Sequence, residues 1–134
     1  MIIRYTTPYH SFILPFLSED IDKITVAYVQ NGVEVLKKRK TDFTFIDIED
    51  LLENASMGDE NWVDLVVRKF DKKVDKTIAI LHLDQEETAL FNYFKAEEKN
   101  IVNVQFHVVN TEGNSFISRI IRMRVYNSIS EEVL

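Results

Sequence analysis

Three histidines, His10, His82 and His107, are the side chains best suited to hold a metal ion or move protons, and each falls in a segment that reads as a β-strand. A three-histidine zinc site needs all its ligands on one face with a coordination position left open. No two of these residues stand at the i, i+4 helical or i, i+2 strand spacing that preorganises ligands. Packed or surface histidines are therefore the expectation, and no metal is assigned. Carboxylates gather in residues 47–53, 59–64 and 84–87. They could share acid–base work only if held a few ångströms apart with their pKa values split. Helix caps and solvated faces account for them, and Asp59-Glu60-Asn61 lacks the ligand pattern and glycine of a calcium loop. No serine stands in a Gly-x-Ser-x-Gly elbow. With only three glycines in the chain, no loop is built to cradle phosphate. No catalytic residue and no cofactor is assigned, and the expectation is a protein that is not an enzyme.

Basic residues offer a different chemistry. Lys37, Lys38, Arg39 and Lys40 form one run; Arg68, Lys69, Lys72, Lys73 and Lys76 form a second; Arg119, Arg122 and Arg124 form a third. Lysine and arginine on strands can simply block edge-to-edge pairing. They can also dock an acidic partner surface, where rows of opposite charge set register and specificity. The candidate partner contacts are thus Lys37, Lys38, Arg39, Lys40, Arg119, Arg122 and Arg124. Trp62 joins them as an aromatic anchor that is either core or interface, and Glu131 and Glu132 as the charged part of an acidic tail. A net charge of −6 argues against nucleic acid as the main ligand.

These side chains must be positioned by strands. Residues 9–16 alternate His10, Phe12, Leu14 and Phe16 on one parity, and Pro8 and Pro15 confine that strand to a sheet edge or kink it. Ile24, Val26 and Tyr28 alternate before Asn31-Gly32, and residues 33–40 return as the second arm. Asn-Gly between two β runs marks a two-residue hairpin with positive φ at both turn positions. Residues 43–48 form a short strand and 47–55 a short helix with Ile48, Leu51 and Leu52 on one side. A loop over 57–61, a strand over 62–70 and a charged turn over 71–76 follow. Residues 77–83 read as a central apolar strand. Asp84 and Glu87 have the spacing of a capping box, which predicts a helix within 84–93. The chain closes with a long hairpin around Thr111-Glu112-Gly113-Asn114. Val102, Val104, Phe106 and Val108 face inward on one arm, and Ile117, Ile121, Met123 and Val125 on the other. Residues 1–5 and 128–134 are expected to be loosely held until docked.

A chain of 134 residues, 46% hydrophobic and 28% charged, suits one globular domain spanning residues 1–134. The absence of cysteine excludes disulfides, thiolate zinc sites and cysteine nucleophiles. No stretch approaches the ~20 apolar residues of a membrane span, and no signal-peptide core follows Met1. About seven strands in adjacent hairpins predict a mostly β protein, an antiparallel immunoglobulin-like β-sandwich with one or two short helical segments.

Several segments carry a resemblance. The opening Ile3-Arg4-Tyr5-Thr6-Thr7-Pro8-Tyr9-His10-Ser11-Phe12-Ile13-Leu14-Pro15-Phe16 resembles the start of a family of short proteins encoded in tailed phages and prophages. So do Ile24-Thr25-Val26-Ala27-Tyr28-Val29-Gln30-Asn31 and Leu83-Asp84-Gln85-Glu86-Glu87-Thr88-Ala89-Leu90-Phe91. The end is similar too, in Val104-Gln105-Phe106-His107-Val108, Thr111-Glu112-Gly113-Asn114 and Glu131-Glu132-Val133-Leu134. Residues 42–74 are longer than the compact hairpin of that family and read as an inserted segment. The resemblance implies a virion structural protein, made in the bacterial host cytoplasm, that docks on capsid or connector subunits and oligomerises only within the particle. A free-standing module for carbohydrate or a host surface is the alternative, and a small hydrolase ranks last.

Overall fold

The computed structural model describes residues 1–53 and 76–127, with 51–53 as backbone only. Among the described residues nine strands form: β1 (Ile2–Ile3), β2 (Tyr9–Leu14), β3 (Ile21–Gln30), β4 (Val33–Arg39), β5 (Phe43–Asp47), β6 (Thr77–His82), β7 (Ile101–Asn110), β8 (Ser115–Ile117) and β9 (Ile121–Tyr126). The same residues include two short helices, α1 (Ile48–Glu53) and α2 (Gln85–Ala89). The protein is mostly β, and its strands pair antiparallel except β1 with β9.

The larger sheet runs β1-β9-β7-β3-β4 with β8 also on β7, and the smaller sheet runs β2-β6-β5. Alternating apolar residues give each sheet one buried face. The larger contributes Ile24, Val26, Tyr28, Val102, Val104, Phe106 and Val108; the smaller contributes Phe12, Leu14, Phe43, Ala79 and Leu81. Phe12 meets Phe106 edge-on across the two sheets, with ring centroids 5.6 Å apart. Each large apolar side chain buried this way stabilises the fold by roughly 1.5–3 kcal/mol relative to exposure.

Proline and turn chemistry act as their residues dictate. β2 stops at Leu14, just before Pro15, and lies on the edge of its sheet, while apolar β6 is central. In the β3–β4 hairpin Gln30 faces Val33, and the two turn residues have φ of 52° at Asn31 and 78° at Gly32. No atom lies within 4 Å of a Cβ built on Gly32, so a substitution there meets backbone strain rather than a clash. Gly32→Val is therefore expected to lower stability by ~1–3 kcal/mol in urea unfolding, and Gly32→Asn by clearly less.

Side-chain hydrogen bonds flank both helical segments. α1 begins at Ile48 because the Asp47 carboxylate accepts from the Ser18 N–H and Oγ–H, both at 2.8 Å, and holds the end of β5. α2 has the expected reciprocal cap, with Glu87 N–H on Asp84 Oδ1 at 2.7 Å and Asp84 N–H on Glu87 Oε1 at 3.0 Å. It ends at Ala89. Beyond it the buried Gln30 amide takes both backbone groups of Asn92, at 2.7 and 2.9 Å, in place of helical bonds.

Two expectations are corrected. Residues 1–5 are not a loose tail: β1 pairs with β9, Ile2 is 0% exposed, and Arg4 N–H donates to the Tyr126 carbonyl at 2.9 Å. Nor does Ile117 face inward; it is 59% exposed. His107 faces Ile117, whereas Val104 faces Ile121, so Ser118-Arg119-Ile120 oppose only Gln105-Phe106. This single extra residue is a β-bulge, and it reverses the parity of everything before it. Phe116 takes the inward position instead and packs against Phe16 and Phe106. Ser118 Oγ accepts from the Phe106 N–H at 3.0 Å, satisfying the backbone where the ladder breaks.

The expectations for 57–61, 62–70 and 71–75, most of the inserted segment and the tail at 128–134 lie outside the described residues.

Candidate interaction surface

Cross-strand register assembles a face from residues far apart in sequence. On the outward side of the larger sheet, Arg122 faces Asn103, Asn103 faces Val29, and Val29 faces Glu34. The next row carries Gln105, Ala27 and Lys37, and the next Ile117, His107, Thr25 and Arg39. Arg124 adds a further cation beside Ile101. Strands sit about 4.8 Å apart, so Arg122 and Arg124 lie about 14 Å across the sheet from β4, which carries Lys37 and Arg39. Between these basic margins the centre mixes Asn103, Gln105, His107 and Thr25 with Val29 and Ala27. The result is a surface bordered by cations along two margins.

The face is basic although the whole chain carries −6. No carboxylate among the described residues pairs with Lys37, Arg39, Arg122 or Arg124. Their charges stand free to meet an incoming acidic surface, which favours encounter and register more than raw affinity.

The other candidate contacts are placed differently. Lys38 faces Val26 on the inward side and forms an ion pair with Glu87 of α2. That pair spends Lys38 on joining the hairpin to the helix. Lys40 follows β4 and donates from Nζ to the Ile21 carbonyl at 2.7 Å. Arg119 lies exposed in the bulge, where its carbonyl accepts from Ser118 Oγ at 2.8 Å. Trp62, Glu131 and Glu132 lie outside the described residues.

The titratable clusters do not converge. His10 is buried in the core, with Nδ1 2.7 Å from Tyr28 Oη and Nε2 3.1 Å from the Met1 carbonyl oxygen. A carbonyl only accepts, so Nε2 carries the proton and Nδ1 accepts from the tyrosine hydroxyl. His82 stacks on Tyr9 on the outward side of the smaller sheet, with ring centroids 4.1 Å apart. His107 lies on the opposite side of the molecule, on the outward face of the larger sheet. The three rings thus occupy three separate layers. Asp84 and Glu87 are engaged in their mutual cap and the Lys38 pair. Burial depresses His10 below the usual histidine value, an effect the Met1 carbonyl partly offsets. Burial, and then the Glu87 charge, push Tyr28 above its ordinary value.

The exposed rings Tyr9, Tyr93 and Tyr126 stand on β2, on the loop after α2 and on β9. They form no flat aromatic row of the kind a sugar stacks on.

Sequence reasoning missed Asn103, Gln105 and His107 as members of this face. Their signal was present, as the polar complement of the inward Val102, Val104, Phe106 and Val108. Ile117 carried no such signal, because the bulge is invisible to a period-two pattern. Comparison with protein-family models, with curated proteins and with solved structures returned no match.

Proposed function

We propose that this chain is a non-catalytic immunoglobulin-like module of a tailed-phage particle, docking on neighbouring capsid or connector subunits through the outward face of its larger sheet. The observation that carries the docking reading is the set of cations Lys37, Arg39, Arg122 and Arg124, without a carboxylate partner among the described residues and ordered on one face of an acidic protein. Strand order supports the immunoglobulin-like reading. The run β9-β7-β3-β4 follows the G-F-C-C′ order of a variable-type domain, and β2-β6-β5 follows B-E-D. Phe12 and Phe106 meet where a B–F disulfide would bridge such sheets. Asn100, just before β7, bonds both backbone groups of Phe94 at 2.7 and 2.9 Å and ties down the turn that leads into that strand. The virion context rests on the resemblance of the opening, hairpin and closing segments to short phage proteins.

The test is quantitative mass spectrometry of purified particles from cells expressing wild type or Arg122→Glu/Arg124→Glu. Wild-type protein is expected in the particles, and reversal should cut its incorporation about tenfold or more, since like charges across an interface cost several kcal/mol. Normal incorporation of the reversed protein would remove the face from the docking reading. Absence of wild type from particles would remove the virion context.

A further inference from the structure

At one end of the basic face the surface dips. A depression of about 280 Å³ is lined by Asp22, Lys23, Ile24, Thr25, Arg39 and Lys40, and its walls are largely apolar. Lys23, Arg39 and Lys40 surround it with cations, and no carboxylate among the described residues pairs with any of the three. A fitting ligand combines aliphatic groups for the walls with negative charge for the margin. An extended peptide with adjacent acidic and aliphatic residues has that chemistry.

The chain itself carries such a peptide in Glu131-Glu132-Val133-Leu134. Within one molecule it cannot reach. Lys23 faces Val109 and Gln30 faces Val102, seven residues along β7. Met123 faces the same Val102, and Asn127 lies four residues further out at the opposite end of the sheet. The path from Asn127 back to Lys23 is about eleven strand residues, or ~36 Å, before any sideways travel. Residues 128–134 span at most ~25 Å fully extended. Donor and receptor thus sit at opposite ends of one molecule, an arrangement that joins copies head to tail.

We infer that the depression at Lys23, Ile24, Arg39 and Lys40 receives the acidic-aliphatic segment Glu131-Glu132-Val133-Leu134 of a second copy, linking copies heterologously. This deepens the docking reading and rests on it, but not on the virion context. The contact is small, so the association is weak and salt-sensitive.

Sedimentation velocity of the full chain tests it with two charge-reversed forms. One is Lys23→Glu/Arg39→Glu in the receptor, the other Glu131→Lys/Glu132→Lys in the tail. Wild type is expected to form species beyond dimers as concentration rises, dispersing in 0.5 M salt on the order of the charge screening there. Each reversed form alone should associate about tenfold more weakly or not at all. Mixed together, the tail of each form meets a receptor of opposite charge on the other, and the mixture should regain species beyond dimers, with the two forms alternating. A labelled peptide of residues 126–134 titrated with wild-type protein reports the same contact without relying on the folding of any variant, and its Glu131→Lys/Glu132→Lys form should not bind. Wild type that stays monomeric, reversed forms that associate like wild type, a mixture that fails to regain association, or equal binding of both peptides would each overturn the inference. The incorporation experiment on Arg122 and Arg124 reads the broader docking reading separately.

Discussion

Replacing Phe106 with alanine is expected to remove ~3–5 kcal/mol of unfolding free energy, the range for truncating a buried aromatic. Phe106 belongs to β7, the strand that joins β3, β8 and β9 in the larger sheet, and its ring touches Phe12 of the opposite sheet and Phe116 beside it. The cavity would open where three strands contribute rings, and the surrounding backbone is held in ladders that collapse only partly. Domains of this size have about 5–15 kcal/mol to lose, so the variant should unfold at much lower urea or temperature. Ile117→Ala is the informative contrast. Its side chain points outward because of the bulge, and the cost should stay within about 0.5 kcal/mol. Equal losses at the two positions would mean that the bulge is misplaced.

Tyr28→Ala should cost a similar ~3–5 kcal/mol, and Tyr28→Phe ~1–3 kcal/mol. The tyrosine is fully buried on β3, packs edge-on against Phe91 at 5.8 Å, and gives its hydroxyl proton to His10 Nδ1. Phenylalanine keeps the ring and leaves a buried nitrogen without its donor. The same pair predicts a pH response. Burial holds the His10 pKa below the ordinary histidine value of about 6.5, so the unfolded chain takes up a proton first as the pH falls. The stability due to neutral His10 is complete above about pH 6.5, declines below it, and levels off once the folded form is also protonated. Melting temperatures measured from pH 7.5 to 5 should fall for wild type over that window. His10→Gln should start lower but lose that part of the slope. An unchanged slope in His10→Gln would assign the acid sensitivity to other groups.

Much of the architecture was legible because its signals are local. The Asn31-Gly32 turn follows from the positive φ that both residues tolerate, and the α2 cap from two carboxylates three residues apart. Prolines 8 and 15 put β2 on an edge, since a ring without an N–H cannot sit inside a ladder. The interaction face was legible only in pieces. Its basic residues were noted as separate runs, and Lys38 was grouped with Lys37 and Arg39 by adjacency. In a strand, adjacent residues point to opposite sides, and so Lys38 went inward to Glu87 while its neighbours remained on the face.

By itself the sequence determined where strands begin and turn, which parity of β3 and β7 is buried, and that no cysteine chemistry is possible. Only the tertiary structure decided which strands become neighbours. Residues 2–3 offer two apolar side chains and no pattern, yet pairing with β9 a whole chain away buries Ile2 completely. The bulge at Ser118–Ile120 was likewise settled by the fit of β8 and β9 to β7, with the Ser118 hydroxyl replacing a lost ladder partner. The physical reason is common to both. Turns, caps and alternation are fixed by interactions within a few residues. Strand partnership and register are fixed by burying one face and satisfying every backbone group at once, which no local window contains.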